Sequence, residues 1–268
     1  MQYFINSTKY FMFLVFLILN SYNLNAVEIV SHEAKYEMNL LRYDDSSTIN
    51  SIVGKSVFKL FKECNAWISS EDYYLKFSYT SGDSDILASS FNSWEEFSGK
   101  LYSFDVYEGS SFENEKKFNG YVNLPPNSKK PEVFFSNDLN TKLKIPDDIF
   151  FPVAHTIETI KKAEQGKKIF PSHIFMGSES DRALKRTNSI IGSIQSTKLK
   201  KDLGKLIESD YYPIQVAYFD LDPNESLPEY QIKFHMQKNG VVSYYEVDYG
   251  DFVISAKLKE IRAIENRC

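Results

Sequence analysis

Apolar and polar residues alternate with a period of two along most of this chain. Ala34, Tyr36, Met38 and Leu40 alternate with Glu33, Lys35, Glu37 and Asn39, the pattern of a strand with one face on a core and one face in water. Leu75, Phe77 and Tyr79 repeat it, as do Tyr102, Phe104 and Val106. Near the end, Ile232, Phe234 and Met236 alternate with Lys233, His235 and Gln237, and Lys238-Asn239-Gly240 follows. Asn-Gly marks a hairpin because both residues tolerate positive φ. Val242, Tyr244 and the stretch 252–258 continue the meander. Turn-rich stretches at 81–85, 108–115, 125–131 and 220–228 are spread evenly, with no linker and no internal repeat. The pattern therefore predicts one domain of short strands and turns, mainly β.

One stretch departs from period two. Pro146-Asp147-Asp148 offers a helix start, Pro152 suits a first turn, and Val153, Ile157, Ile160 and Ala163 fall at helical spacing. Lys161 and Lys162 suit the negative end of the dipole and Gly166 is a natural stop, so a helix is predicted over about 150–166, lying on the sheet through its Ile face. A weaker, Lys-rich helical stretch at 197–203 reads as an exposed connection.

The N-terminus adds an address. Lys9 precedes an apolar run of ten residues, Tyr10 to Leu19, and Leu24-Asn25-Ala26 offers a cleavage point after Ala26. Ten residues make a helix of about 15 Å, half a hydrocarbon core, which fits a secretory signal better than an anchor. Residues 1–26 are accordingly expected to be a signal peptide and 27–268 the working domain; an uncleaved tether is the lesser alternative. Loss of Lys9 takes the net charge from −5 to −6, which argues against nucleic acid as the main partner. The 43% hydrophobic content is ample for a core, and its 21 Phe and 18 Tyr favour pleated surfaces. Both cysteines, Cys64 and Cys268, survive cleavage. An even count in an exported chain reads as a disulfide; the competing catalytic thiol finds no nucleophile signature around either residue.

Chemistry is sparse. His32, His155, His173 and His235 form no metal-spaced pair, so neither a metal nor a cofactor is expected. His155 lies on the predicted helix, off its Ile stripe, and is the one candidate for a ligand-contacting or functional histidine, with hydrogen-bonded packing the plainer role. His235 falls on the wet face of its strand. Gly177-Ser178-Glu179-Ser180-Asp181 and Asp248-Tyr249-Gly250-Asp251 read as turns rather than a nucleophile site or a Ca²⁺ loop. Lys198, Lys200, Lys201 and Lys205 read as a solvated face, with anionic lipid or polyanion as the sharper alternative.

Several segments in order carry a resemblance. Ser31-His32-Glu33-Ala34-Lys35-Tyr36 opens it, then Gly54 through Phe61 leading to Cys64, then Phe91-Asn92-Ser93-Trp94-Glu95. Phe150-Phe151-Pro152-Val153-Ala154-His155-Thr156 and Phe175-Met176-Gly177-Ser178 follow. The series closes with Pro213 through Asp220, Tyr230 to Phe234, Asn239-Gly240-Val241, Asp248 to Phe252 and the terminal Cys268. The chain resembles the EipB family of cell envelope integrity proteins, periplasmic proteins of alphaproteobacteria. The resemblance implies a long curved antiparallel sheet wound as a β-spiral or open barrel around one helix, akin to the periplasmic lipoprotein carriers, with a bridge that maps onto Cys64 and Cys268. It also implies a periplasmic role in maintaining the envelope without enzymatic activity. The sheet's Phe and Tyr content then leads us to expect that a protein partner, a lipid or a lipoprotein binds on its curved face, and exposed strand edges offer a route to a homo-oligomer. The alternative is a hydrolase of an envelope polymer acting through His155 and a nearby acid.

Overall fold

In a computed structural model of the chain, residues 27–268 are described, apart from 46, 113, 126–129, 198–202 and 223. The expected signal segment and most of the Lys198–Lys205 cluster therefore lie outside the described residues. The first half is a long meander: β1 (His32–Tyr43), β2 (Ile49–Glu63), β3 (Ala66–Tyr79), β4 (Ser84–Glu96), β5 (Leu101–Ser110), β6 (Lys116–Asn123) and β7 (Glu132–Phe135). Then come β8 (Ile149–Phe150), helix α1 (Pro152–Glu164), β9 (Ile169–Phe175), β10 (Leu184–Ile191) and β11 (Gln195–Ser196). The chain closes with β12 (Asp210–Phe219), β13 (Tyr230–Met236), β14 (Val242–Asp248) and β15 (Phe252–Ala263).

These strands form one sheet in the order β7-β6-β5-β4-β3-β2-β1-β15-β14-β13-β12-β10-β9-β8, with β11 paired to β12. Every pairing is antiparallel except β8 with β9. The first strand and the last lie side by side in the middle of the sheet, Met38 opposite Ala256. Two register shifts along β1, at Lys35/Tyr36 and Leu40/Arg42, add bend and twist there. Gly54 serves a similar end: a Cβ would sit 2.2 Å from the Tyr74 carbonyl oxygen, so only glycine lets β2 lie this close to β3.

The sheet is not a barrel closed by hydrogen bonds, because β7 and β8 are its two edges. Its ends overlap instead. Tyr102 and Phe104 of β5, Phe118 of β6 and Phe135 of β7 pack on Phe175 of β9 and Leu184 of β10 in one buried cluster. Phe104 is its hub, with ring centroids 6.0–6.4 Å from those of Phe91, Phe118, Phe135 and Phe175. The architecture is thus the mainly β, open, wound sheet that the resemblance implied, with one α-helix among the described residues.

The strands are longer than the pattern suggested: β2 has 15 residues and β3 has 14. The helix is shorter, and its start lies elsewhere. Asp147 and Asp148 precede β8 rather than α1; Asp148 meets His173 at 2.9 Å instead. The N-cap residue is Phe151, which has no capping side chain. The capping group comes from β4: Glu95 accepts from the Val153 amide at 2.8 Å and the Ala154 amide at 2.7 Å. Two of the helix's orphan amides are satisfied in this way by a residue far away in sequence. Val153, Ile160 and Ala163 then bury against Leu60, Trp67, Ile174 and Ile214, which places α1 inside the coil of the sheet.

Candidate functional site

Between α1 and the concave face of the sheet lies a cavity of about 300 Å³, at the lower end of the range for small-molecule sites. Its wall is mainly apolar, with Ile29, Phe58, Ile174, Val216, Ile232 and Met236 among the contributors. Against that wall stand a few polar groups: His32, Ser69, Glu71, Tyr73, His155 and Tyr245.

Strand register explains why these groups converge. Side chains two apart on a strand share a face, so Ser69, Glu71 and Tyr73 of β3 all look inward. Glu71 lies opposite Phe58 of β2 on one side and Phe91 of β4 on the other. Tyr73 lies opposite Ser56, which lies opposite Tyr36 of β1. Tyr245 reaches in from β14. Its hydroxyl donates to Glu71 Oε1 at 3.5 Å and lies 3.3 Å from Ser56 Oγ, while the Tyr36 hydroxyl donates to the Val242 carbonyl at 2.8 Å.

Burial dominates the electrostatics. It pushes the Glu71 carboxyl up to about 7, against the hydrogen bonds from Tyr73 and Tyr245 that favour its charged form. The same burial, with the charge of Glu71 beside them, raises the Tyr73 and Tyr245 phenols well above their ordinary value. His32 donates from Nδ1 to the Val30 carbonyl at 2.8 Å, which leaves Nε2 as an acceptor; desolvation lowers its pKa.

His155 lines the same cavity from α1. Desolvation takes it down to about 4, so it is neutral near pH 7. Its Nε2 meets Ser172 Oγ at 3.0 Å, and Ser172 Oγ meets Thr187 Oγ1 at 2.7 Å. This chain of side chains ties the helix to β9 and β10. No described carboxylate hydrogen-bonds His155, so the nearby acid that a hydrolytic pair would use is not brought to it. A second cavity of about 280 Å³ opens beside the helix N-terminus, lined by Lys62, Trp67, Glu95 and Phe97 among others.

Other expected features fall elsewhere. Cys64 and Cys268 form a disulfide at the turn after β2, with a Cα–Cα distance of 5.1 Å, and neither lines the cavity. His235 does not simply face water: Tyr211 stacks on it at 4.2 Å and Tyr244 lies at 5.1 Å. Gln237, placed on the wet face by its alternation, is buried because the segment before β12 crosses over it; its side chain exchanges hydrogen bonds with the Glu208 backbone at 3.0 and 2.9 Å. The 248–251 segment is a turn, in which Gly250 donates to Asp248 Oδ1 at 3.0 Å. Among the described residues no cluster of His, Cys, Asp and Glu is arranged to hold a metal, and no helix is long and apolar enough to cross a membrane. Sequence reasoning missed Glu71 altogether. The signal was Ser69-Ser70-Glu71-Asp72, a polar interruption in an otherwise apolar inward row.

Residues 23–265 match the family model described as EipB-like. The chain belongs to the EipB-like family. Over 241 residues it is 25% identical to the Cell envelope integrity protein EipB of Brucella abortus (strain 2308), covering 88% of this chain and 85% of that protein. A crystal structure of a beta-barrel-like protein of a domain of unknown function, also from Brucella abortus, matches with a TM-score of 0.79 and 26% identity, over 90% of this chain and all of that one. In this EipB-like chain the cavity sits where the two halves of the wound sheet face each other across α1.

Proposed function

We propose that this protein is a periplasmic factor that supports cell envelope integrity by holding a lipidic ligand inside its wound sheet. The observation that carries the reading is the apolar cavity between the concave face and α1. A soluble domain gains stability by filling its interior, so an apolar space of this size with convergent polar groups is the standard form of a ligand site. Membership of the EipB-like family and the name of the Brucella relative support the envelope role. The disulfide supports an oxidising compartment.

Native mass spectrometry of the protein purified from an envelope fraction, with titration of a neutral fluorescent apolar probe such as N-phenylnaphthylamine, tests this reading. Saturable one-to-one binding is expected, and it is lost on Thr156→Trp, which places a large ring where α1 lines the cavity. A protein that carries no lipid and binds no probe overturns it. A hydrolytic role through His155 has no further support in the geometry, and full function of His155→Ala in an envelope-stress assay removes it.

A further inference from the structure

Three acidic side chains turned away from bulk water differ in their partners: Glu33 and Glu95 are buried, and Glu71 is partly buried where it lines the cavity. Glu33 holds Arg262 in a two-pronged pair at 2.8 and 2.9 Å, with Lys59 at 3.9 Å. Glu95 holds two helix amides. Glu71 has only phenols. Tyr73 and Tyr245 hydrogen-bond it, and no lysine, arginine or charged histidine acts on it among the described residues. Every titratable group around it is acidic or neutral: Asp72 on its own strand, Tyr36 on β1, Tyr245 on β14 and Tyr249 just beyond β14. The other titratable groups lining the cavity are His32 of β1 and His155 of α1, both lowered by burial, and Tyr218 of β12, raised by it. A carboxylate removed from bulk water is ordinarily paired with a cation, and here none of the described residues supplies one.

The rings around it are disposed to receive one. Tyr36 and Tyr245 meet edge to face at 5.3 Å, and Tyr73 and Phe58 line the same space. Aromatic faces beside a carboxylate are the recurring way to bind an ammonium group, through attraction to the ring quadrupoles and a counter-ion. We propose that the cavity takes a single-chain amphiphile with an ammonium headgroup, Glu71 acting as its counter-ion, Tyr36, Tyr73 and Tyr245 as its aromatic walls, and the apolar lining holding its chain. The proposal rests on the lipid-binding reading above and adds the headgroup chemistry. An anionic headgroup meets repulsion from Glu71. A neutral one gains no charge attraction and leaves Glu71 to its phenols and its proton. The ammonium also pays for its own desolvation, and the Coulomb attraction to Glu71 in this poorly screened space is what offsets it. Since desolvation holds Glu71 near half-ionised at neutral pH, an ammonium beside it draws it fully into the charged form.

The test uses the chain from residue 27 onward with three probes of one chain length, dodecylamine, dodecanol and dodecanoate. Their binding is measured by isothermal calorimetry below micelle concentrations at about pH 6 and about pH 8. At the higher pH the amine binds tightest and dodecanoate weakest. Amine affinity rises about tenfold between the two pH values as Glu71 ionises, since a carboxyl titrating near 7 goes from about a tenth charged to about nine-tenths charged. Glu71→Gln abolishes both the amine preference and its pH dependence while dodecanol still binds, which also reports that the variant is folded. Dodecanoate binding as tightly as the amine, or an amine preference that survives Glu71→Gln, overturns the proposal. Binding of dodecanol with no gain for the amine sinks the headgroup assignment alone. Failure of all three probes sinks the lipid-binding reading with it.

Discussion

Glu71 sits at the point where residue chemistry and cavity shape meet, and its titration has a consequence for stability that is separate from any ligand. Its carboxyl is raised from 4.5 to about 7 in the folded chain. Between those values the folded protein keeps a proton that the unfolded chain has released. The resulting stabilisation is complete below pH 4.5 and is lost as pH rises through about 7. Glutamine at this position has no proton to lose. Glu71→Gln should therefore gain on the wild type as pH rises from 4.5 to 8, by roughly 3 kcal/mol at 1.36 kcal/mol per pKa unit. Urea denaturation of both proteins across that range measures it. His155 has the opposite sign, since a pKa lowered from 6.5 to about 4 gives stability above pH 6.5 that is lost on acidification. Taking the difference between variant and wild type cancels that opposing term. A gap that stays constant with pH contradicts the burial argument for Glu71.

At the scale of elements, α1 depends on a residue of another element. Its first turn has no local capping side chain, and Glu95 of β4 accepts both free amides in a buried setting. Glu95→Ala leaves those amides without partners and should destabilise the fold by about 2 kcal/mol. Hydrogen exchange should show the loss concentrated in 152–158, with the sheet protected as before; uniform loss across the sheet would contradict a local capping role. This same device explains what the sequence did and did not disclose. The α1 stripe of Val153, Ile157, Ile160 and Ala163 was legible because three of its members bury in one cluster and Ile157 packs against them. The helix start was not, because its cap lies more than fifty residues upstream, beyond the reach of any local motif. The long β3 was only half legible for a related reason. Leu75, Phe77 and Tyr79 alternate cleanly where they face the filled core, whereas Ser69 and Glu71 interrupt the apolar row where the strand faces the cavity. Period-two reasoning assumes that every inward position is apolar, so it fails where the interior is a cavity edged with polar groups. Gln237 failed from the other side: its outward position is covered by a segment that arrives from the chain between β11 and β12.

At the scale of the molecule, the wound sheet has to hold its overlap without a closing ladder of hydrogen bonds. The Phe104 cluster does so on one side, where aromatic rings of β5–β7 lie on those of β9. On the other side the chain ends are held by β1–β15 pairing up to Ala263, and beyond it by a short tail. Arg267 donates to the Lys62 carbonyl at 3.0 Å, and its guanidinium lies 4.9 Å from the Phe61 ring. The disulfide then fixes Cys268 to Cys64 across 204 residues. In the chain-entropy account, a loop of that size restricts the unfolded chain by about 5 kcal/mol, and measured losses are more often 2–4 kcal/mol. Neither cysteine lines the cavity, so stability and binding should separate. Cys268→Ser should lower the denaturation midpoint by an amount in that range and make the tail after Ala263 the first site of proteolysis. Probe binding to the folded fraction should stay within about twofold of wild type, since distant sites without shared partners act independently. Reductant applied to the wild type should reproduce the variant. An unchanged midpoint under reduction would mean that the pairing of β1 with β15 and the aromatic overlap hold the spiral alone. Loss of probe binding in a folded variant would instead mean that tension from the tail reaches through β2 to the Phe58–Glu71 wall of the cavity.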